Sequence, residues 1–214
     1  MNGAGNPSPV PFTMFDALMD TYDGDYLRTD DEWDELRWIR ERTAAPKGCR
    51  VEIVEGLVTV TPSATVRHHV IADRVHRRLC AATPEDWGVH QWWDIAVPRR
   101  LGLYVPDLVV VPENTRDTDD GGLCPAGAAE LVVEITSKVT ACRDRTVKPA
   151  GCATGGVPLF LLIDGLAPGG PTFTLHGAPR KDAYRVLAAG PIGEPIKLPA
   201  PFDLVNDTSE FPGA

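Results

Sequence analysis

Apolar residues in this chain fall mostly in short runs rich in Val, Ile and Leu, the pattern of buried or half-buried β-strands. Two such runs flank Glu55-Gly56 and predict a hairpin with a two-residue turn. A second hairpin is expected around 99–102, and 113–127, rich in Asp, Gly, Asn and Pro, is expected to be a loop. Further strands are predicted near 92–96 and over 103–111, 130–136, 159–164, 173–176 and 184–187, followed by an irregular tail over 196–211.

Three segments have the spacing of helices. Over 29–42 the acidic residues come first and the basic residues last, an order that complements the helix dipole. Another helix is predicted across 138–148, directly after a predicted strand. The segment 68–79 is amphipathic, and its apolar face is formed by His68, Ile71, Ala72, Val75 and Leu79.

Together these elements predict an α+β fold, in which a mixed, mostly antiparallel β-sheet is flanked by helices. The chain has 214 residues, enough for one core of ordinary size. We expect residues 1–44 to form a partly disordered N-terminal extension with one helix, the disorder lying mainly in 1–12. Residues 45–214 are expected to form the domain.

Composition points to a cytoplasmic protein that does not enter a membrane. No apolar run approaches the ~20 residues that span a bilayer. Residues 1–7 lack both the basic and the apolar segment of a secretory signal. The five cysteines form no C-x-x-C pair, so reduced thiols are expected rather than a disulfide framework or a zinc site.

The net charge of −9 bears on the partners of the chain. Proteins that grip duplex DNA usually have an overall basic balance or a basic patch. Here the basic residues form only local clusters, so the acidic balance counts against tight non-specific binding of nucleic acid. The clusters are Arg74, Arg77 and Arg78; Arg99 and Arg100; and Arg143, Arg145 and Lys148.

Two carboxylates interrupt apolar runs, and a lysine follows them. Asp107 lies after Pro106 in the run 103–111, and Glu134 lies within 130–136. A carboxylate is costly to bury unless it is paired or binds a metal. If the two strands are neighbours, both side chains can point into one cleft and hold Mg²⁺, with Lys148 beside them. The alternative is that Asp107 ends an edge strand after Pro106 and Glu134 faces solvent from an edge strand, since structural ion pairs also place acids in sheets.

Other polar residues have ordinary explanations beside functional ones. Asp144 and Lys148 lie four apart on one predicted helical face, which by itself is most often a surface ion pair. His68 is either a semi-buried histidine or part of a site. Glu52 is either an outward strand residue or an acid that lines a cleft. No phosphate-binding loop, dinucleotide fingerprint or G-x-S-x-G elbow is present, so other common chemistries find little support.

The order and spacing of several short motifs resemble the Uma-type restriction endonuclease family, over roughly residues 48–211. The resemblance rests on the hairpin 51–56, His68, Pro106-Asp107, 134–137, Asp144, Lys148, Gly156-Val157-Pro158 and 162–164.

The resemblance implies a restriction-endonuclease-like fold of the P-D…(D/E)-x-K superfamily and a Mg²⁺-dependent nuclease that acts on DNA, with Mn²⁺ as a substitute cation. Asp107 and Glu134 would bind the metal, Lys148 would be the catalytic lysine, and Glu52 and His68 would be accessory residues. Thr136 occupies the position where the wider superfamily carries lysine. Homodimers are common for such folds, and the oligomeric state stays open.

One departure from the family pattern follows the lysine. Pro149 comes directly after Lys148, where the family has a good helix, and is expected to stop or kink the helix at Lys148. Cys152 stands where the family has Tyr. Two functions therefore remain: a Mg²⁺-dependent endonuclease, or a catalytically silent protein of the same fold that serves as a binding or assembly module.

Overall fold

A computed structural model describes residues 32–117 and 122–212. It contains four helices: α1 (Glu32–Arg42), α2 (Val66–Ala82), α3 (Ala141–Arg145) and α4 (Val147–Gly155). The strands are β1 (Arg50–Val54), β2 (Leu57–Thr61), β3 (Trp87–His90), β4 (Ile95–Val97), β5 (Gly102–Tyr104), β6 (Leu108–Pro112), β7 (Cys124–Pro125), β8 (Leu131–Ile135), β9 (Leu159–Asp164), β10 (Thr172–Arg180), β11 (Ala183–Pro191), β12 (Ile196–Lys197) and β13 (Val205–Asn206).

The strands form two main sheets and one small one. The larger sheet has the order β11-β10-β9-β8-β6-β3, and the smaller has β2-β1-β5-β4-β7, while β12 and β13 pair with each other. Pairing is antiparallel except between β8 and β9 and between β4 and β7. Parallel neighbours need a crossover connection, and α3 with α4 supplies it between β8 and β9. The predicted α+β class with a mixed sheet is confirmed.

Side chains alternate between the two faces of the larger sheet, and each face has its own core. On one face Val110, Val133 and Leu161 pack with α2 and with the C-terminal tail through residues such as Phe202. On the other face Val109, Val132, Phe160 and Leu162 pack with the smaller sheet and with Cys152 of α4. The sheet is therefore covered on both sides, and α4 packs on the face that also carries Glu134.

Most predicted elements are present. Helix α2 buries the five residues assigned to its apolar face, and Thr65 caps it by accepting a hydrogen bond from the His68 amide. The first hairpin turns at Glu55 and Gly56, both with positive φ, as a type I′ turn requires. The segment 29–31 of the first predicted helix and the expected disorder over 1–12 lie outside the described residues. The domain division at residue 44 stays a prediction.

Four sequence-based expectations were wrong. The run 103–111 is not one strand, since it splits into β5 and β6, which belong to different sheets. The helix expected across 138–148 is two helices that meet at Thr146, whose φ and ψ are −128° and −60°. The loop at 113–127 contains β7, and the tail contains β12 and β13, which were not predicted.

Among the described residues, no helix is long and apolar enough to cross a membrane.

Candidate active site

Asp107 is placed by the chain segment that passes from one sheet to the other. Pro106 lacks a backbone donor, which favours a break in strand pairing between β5 and β6. Two side chains of β1 stabilise the backbone between β5 and β6. Glu52 accepts a hydrogen bond from the Val105 amide at 2.8 Å, and Arg50 donates to the Val105 carbonyl at 3.3 Å. The segment between β5 and β6 therefore directs the Asp107 carboxylate toward the end of β8.

Both oxygens of the buried Asp107 carboxylate accept hydrogen bonds. Arg50 donates to Oδ1 at 2.8 Å, and the Ile135 amide donates to Oδ2 at 2.8 Å. His68 Nε2 lies 3.0 Å from Oδ2 and also 3.0 Å from the Ile135 carbonyl oxygen. Burial alone would raise the pKa of Asp107, but His68, Arg50 and the Ile135 amide outweigh it and hold that pKa below its usual value. Asp107 is therefore ionised at neutral pH.

Lys148 lies among three carboxylates on the neighbouring side of β8. Its Nζ is 2.8 Å from both Glu134 Oε1 and Glu52 Oε1 and 3.7 Å from Asp144 Oδ1. The side chains of Lys148, Glu52, Glu134 and Asp144 are each at most 2% exposed. Burial opposes the charged ammonium, but the three carboxylates raise the pKa of Lys148 well above its usual value, so it stays protonated.

The site would hold more negative than positive charge if all of its acids were ionised. Four buried carboxylates, those of Glu52, Asp107, Glu134 and Asp144, face two permanent cations, Arg50 and Lys148, a formal balance of −2 when all are ionised and His68 is neutral. Burial, followed by the charge of neighbouring carboxylates, raises the pKa of Glu134 well above its usual value and that of Asp144 to about 6. A bound divalent cation would remove this imbalance.

The donor set fits a hard cation rather than a zinc cage. Glu52 Oε2 and both oxygens of Asp144 are buried and accept no hydrogen bond, so oxygen donors are available beside Glu134. Among the described residues, no three His, Cys, Asp or Glu side chains are arranged to enclose a metal by themselves. Mg²⁺ is commonly held by one or two carboxylates together with waters and substrate phosphate oxygens, so it needs no such enclosure.

The structure brings all five predicted site residues together. Lys148 pairs with Glu134 and Glu52, and His68 contacts Asp107. The charge of Asp107 also acts on Glu134 and raises its pKa. Whether these residues act in catalysis or bind metal stays a prediction.

Thr136 lies outside this group, since its hydroxyl donates to Asp164 at 2.9 Å. Arg145 donates two hydrogen bonds to the same carboxylate.

Sequence reasoning missed two members of the group. Arg50 opens β1 and carried no signal beyond its position two residues before Glu52 on the same strand face. Asp144 was noted only as an ion-pair partner of Lys148 and not as a site residue. Its position in the quoted family motif, four residues before the lysine, was the signal that could have added it.

Pro149 does not end the helix that carries Lys148, contrary to expectation. Helix α4 begins at Val147 and continues to Gly155, so Pro149 lies in its first turn. The amide groups of a first turn have no partner within the helix, and proline is tolerated there. Lys148 is consequently held at a helix start, where three carboxylates fix its ammonium group.

A cleft of about 330 Å³ lies beside the group and is lined by His68 and Ile135. His68 lies at the cleft, and the walls come from the start of α2 and from the loop after β8, including Thr65, Ser137, Lys138 and Val139. Its opposite side is formed by residues after β9, including Leu166. We call it the His68 cleft.

Comparison with known proteins identifies the family and the fold. The family model described as "Uma2: Putative restriction endonuclease" matches residues 33–207, so the chain belongs to the Uma2 family. The fold is similar to the crystal structure of a putative nuclease from Anabaena variabilis, with a TM-score of 0.59 and 15% identity, covering 84% of this chain and 96% of that one. No curated protein matches the sequence. The predicted family and fold are therefore confirmed.

Proposed function

We propose that this chain is a Mg²⁺-dependent endonuclease that hydrolyses phosphodiester bonds in DNA. Family membership and the nuclease-like fold support nuclease activity. The observation that carries the proposal is the convergence of Asp107, Glu134 and Lys148, three residues far apart in sequence, at the end of β8. A cluster of several buried carboxylates around one buried ammonium is costly for a purely structural role.

In this proposal Asp107 and Glu134 hold the metal, with Mn²⁺ able to replace Mg²⁺. A divalent cation at that position supplies Lewis acidity toward a phosphoryl oxygen and lowers the pKa of a bound water. Arg50 and the Ile135 amide orient the Asp107 carboxylate, and His68 steadies it from the side of the cleft. The pKa of Glu134 is raised by burial and then by its carboxylate neighbours, and a bound cation would favour its ionised form.

Lys148 serves as a fixed donor and positive charge. Because its pKa is raised, it is protonated at neutral pH and cannot act as the base. Its ammonium group orients the attacking water and offsets the negative charge that develops on the phosphoryl oxygens. Glu52, whose pKa is lowered because Lys148 outweighs the effect of burial, is ionised and has a free Oε2 that can accept a proton from the water.

The proposal is tested by incubating the wild-type protein with labelled single-stranded and duplex DNA in Mg²⁺, Mn²⁺ or EDTA. Cleavage is expected only with a divalent cation, and Lys148→Met is expected to lower it by about 100-fold or more. The control Lys197→Met changes an exposed lysine of β12 and should cleave like the wild type. Metal-independent cleavage, or equal rates for the wild type and Lys148→Met, would contradict the proposal.

A second function is a catalytically silent module, and one observation favours it. Both oxygens of Asp107 are already engaged by protein donors, and the side chains around it are almost fully buried. A structural ion-pair network would have the same appearance. The absence of cleavage together with the absence of Mg²⁺ binding would select this alternative.

A further inference from the structure

The candidate active-site residues lie below the surface, beside the His68 cleft. Asp107, Glu134 and Lys148 are each at most 2% exposed, so a phosphate group lying on the outer surface would not touch them. His68 is 5% exposed and lies in the wall of the His68 cleft, with Nε2 on Asp107 and on the Ile135 carbonyl. Its Nδ1 is buried without a hydrogen-bond partner. The cleft therefore borders His68 and Ile135, which both contact the Asp107 carboxylate.

The walls of the cleft offer the chemistry of a nucleotide site. Val139 and Leu166 are 59% and 43% exposed and line the cleft together, so they provide an apolar surface on which a base or sugar can pack. Arg67 and Lys138 line the same cleft and bring positive charge for a phosphate. Apolar walls with a few polar groups are typical of small-molecule sites.

Size excludes a double helix from this cleft. Its volume of about 330 Å³ is at the small end of the range for ligand pockets, and a duplex is too wide to enter it. The net charge of −9 also counts against tight binding of a duplex through its phosphates. A single strand can place one nucleotide in such a cleft and needs fewer phosphate contacts outside it.

From these observations we infer that the His68 cleft binds one unpaired nucleotide, so that the protein recognises single-stranded DNA in preference to a duplex. The base packs between Val139 and Leu166, the phosphate lies toward Lys138 and Arg67, and the adjoining phosphodiester reaches the carboxylates past His68. This inference rests on the proposed nuclease function, since it names the substrate form of the same site.

Binding of short fluorescein-labelled DNA tests the inference without relying on cleavage. A mixed-sequence single strand and the blunt duplex of the same sequence are titrated with protein in Ca²⁺, and anisotropy is measured. The single strand should bind at least about tenfold more tightly than the duplex. Lys138→Glu, which reverses one charge, and Val139→Asp, which places a charge on the apolar wall, should each weaken single-strand binding by about tenfold.

Lys181→Glu is the matched control. Lys181 is exposed in the turn between β10 and β11, and that turn lies beyond the Leu159 end of β9, whereas the cleft is at the other end of that strand. The control should bind within about twofold of the wild type. Melting curves check that every variant is folded.

The outcomes separate this inference from the proposed function. The inference would be overturned if the duplex bound as tightly as the single strand, or if Lys138→Glu and Val139→Asp kept wild-type affinity. If the protein then cleaved duplex DNA in Mg²⁺, the proposed nuclease function would still be supported. The expected binding pattern without cleavage in Mg²⁺ would support the cleft as a nucleotide site and count against the nuclease. No binding of either DNA would refute the inference.

Discussion

Lys148 and Glu134 form an ion pair of 2.8 Å in which neither side chain is more than 2% exposed. Glu134 lies on β8, and Lys148 lies in the first turn of the helix that covers the same face of the sheet. The desolvation cost of two buried charges is offset only when further groups interact with them. Glu52 and Asp144 do so here by contacting the Lys148 ammonium group. This ion pair links α4 to β8 of the larger sheet, at the position proposed for the metal.

Removing the ammonium should destabilise the fold strongly. Lys148→Met leaves three buried carboxylates without their central cation, and we expect a loss of about 3–5 kcal/mol in the free energy of unfolding near neutral pH. Because Glu134 and Asp144 would then take up protons, the loss should be smaller at about pH 5. Urea unfolding at both pH values measures this, with Lys197→Met as an exposed control. An equal loss at both pH values would contradict the account.

Asp144→Asn should stabilise the protein in alkaline conditions in the absence of metal. The pKa of Asp144 is raised from 3.8 to about 6, so its contribution to stability is present below pH 3.8 and is lost as the pH rises through about 6. The asparagine variant avoids this loss and should be more stable at about pH 8, by at most about 3 kcal/mol, since one pKa unit corresponds to about 1.4 kcal/mol.

At about pH 3 or below, the Asp144→Asn variant and the wild type should converge, because the aspartate is then largely protonated in both folded and unfolded states. Thermal or urea unfolding as a function of pH measures the difference. Asp182→Asn, at an exposed position in the turn after β10, is the control and should follow the wild type. A variant that is less stable than the wild type at about pH 8 would show that Asp144 chiefly supports Lys148.

Pro149→Ala should change stability little. Pro149 lies in the first turn of α4, where an alanine would gain no hydrogen bond within the helix, and we expect a change of less than about 1 kcal/mol. Ala150→Pro is the contrasting variant, because the Ala150 amide donates to the Thr146 carbonyl at 3.3 Å. Losing that donor should cost up to about 3 kcal/mol. Chemical denaturation of both variants distinguishes these positions.

Gly151→Ala should disturb the contact between α4 and β5. A Cβ at Gly151 would overlap the hydroxyl and ring edge of Tyr104, whose side chain is 1% exposed. Overpacking of this kind should cost about 1–3 kcal/mol. Tyr104→Phe removes the nearest overlapping atom, so the double variant should recover part of the loss in a double-mutant cycle. Strict additivity of the two substitutions would contradict the predicted overlap.

The sequence predicted the elements better than their connections. The apolar face of α2 and the turn at Glu55-Gly56 follow from local periodicity and turn chemistry, and both are present. The division of 103–111 between two sheets could not be read from its continuous apolar pattern, since strands buried on both faces look alike. Pro106 was the only local sign of the break.

The membership of the site was predictable in part. Asp107, Glu134 and Lys148 stand out because charged residues interrupt or follow apolar strands, and Glu52 and His68 came from the family resemblance. Arg50 depends on a register between β1 and the 105–107 segment that no local pattern encodes. The effect of Pro149 was misjudged because the helix boundary at Thr146 could not be located from propensity alone.

Calorimetric titration with Mg²⁺ tests the central claim most directly. Wild-type protein should bind Mg²⁺, Asp107→Asn and Glu134→Gln should each lose that binding, and Asp182→Asn should retain it. These substitutions nearly preserve side-chain shape while removing the charge that a hard cation needs. Wild-type protein that binds no Mg²⁺, or variants that bind it unchanged, would contradict the assignment of a metal site to Asp107 and Glu134.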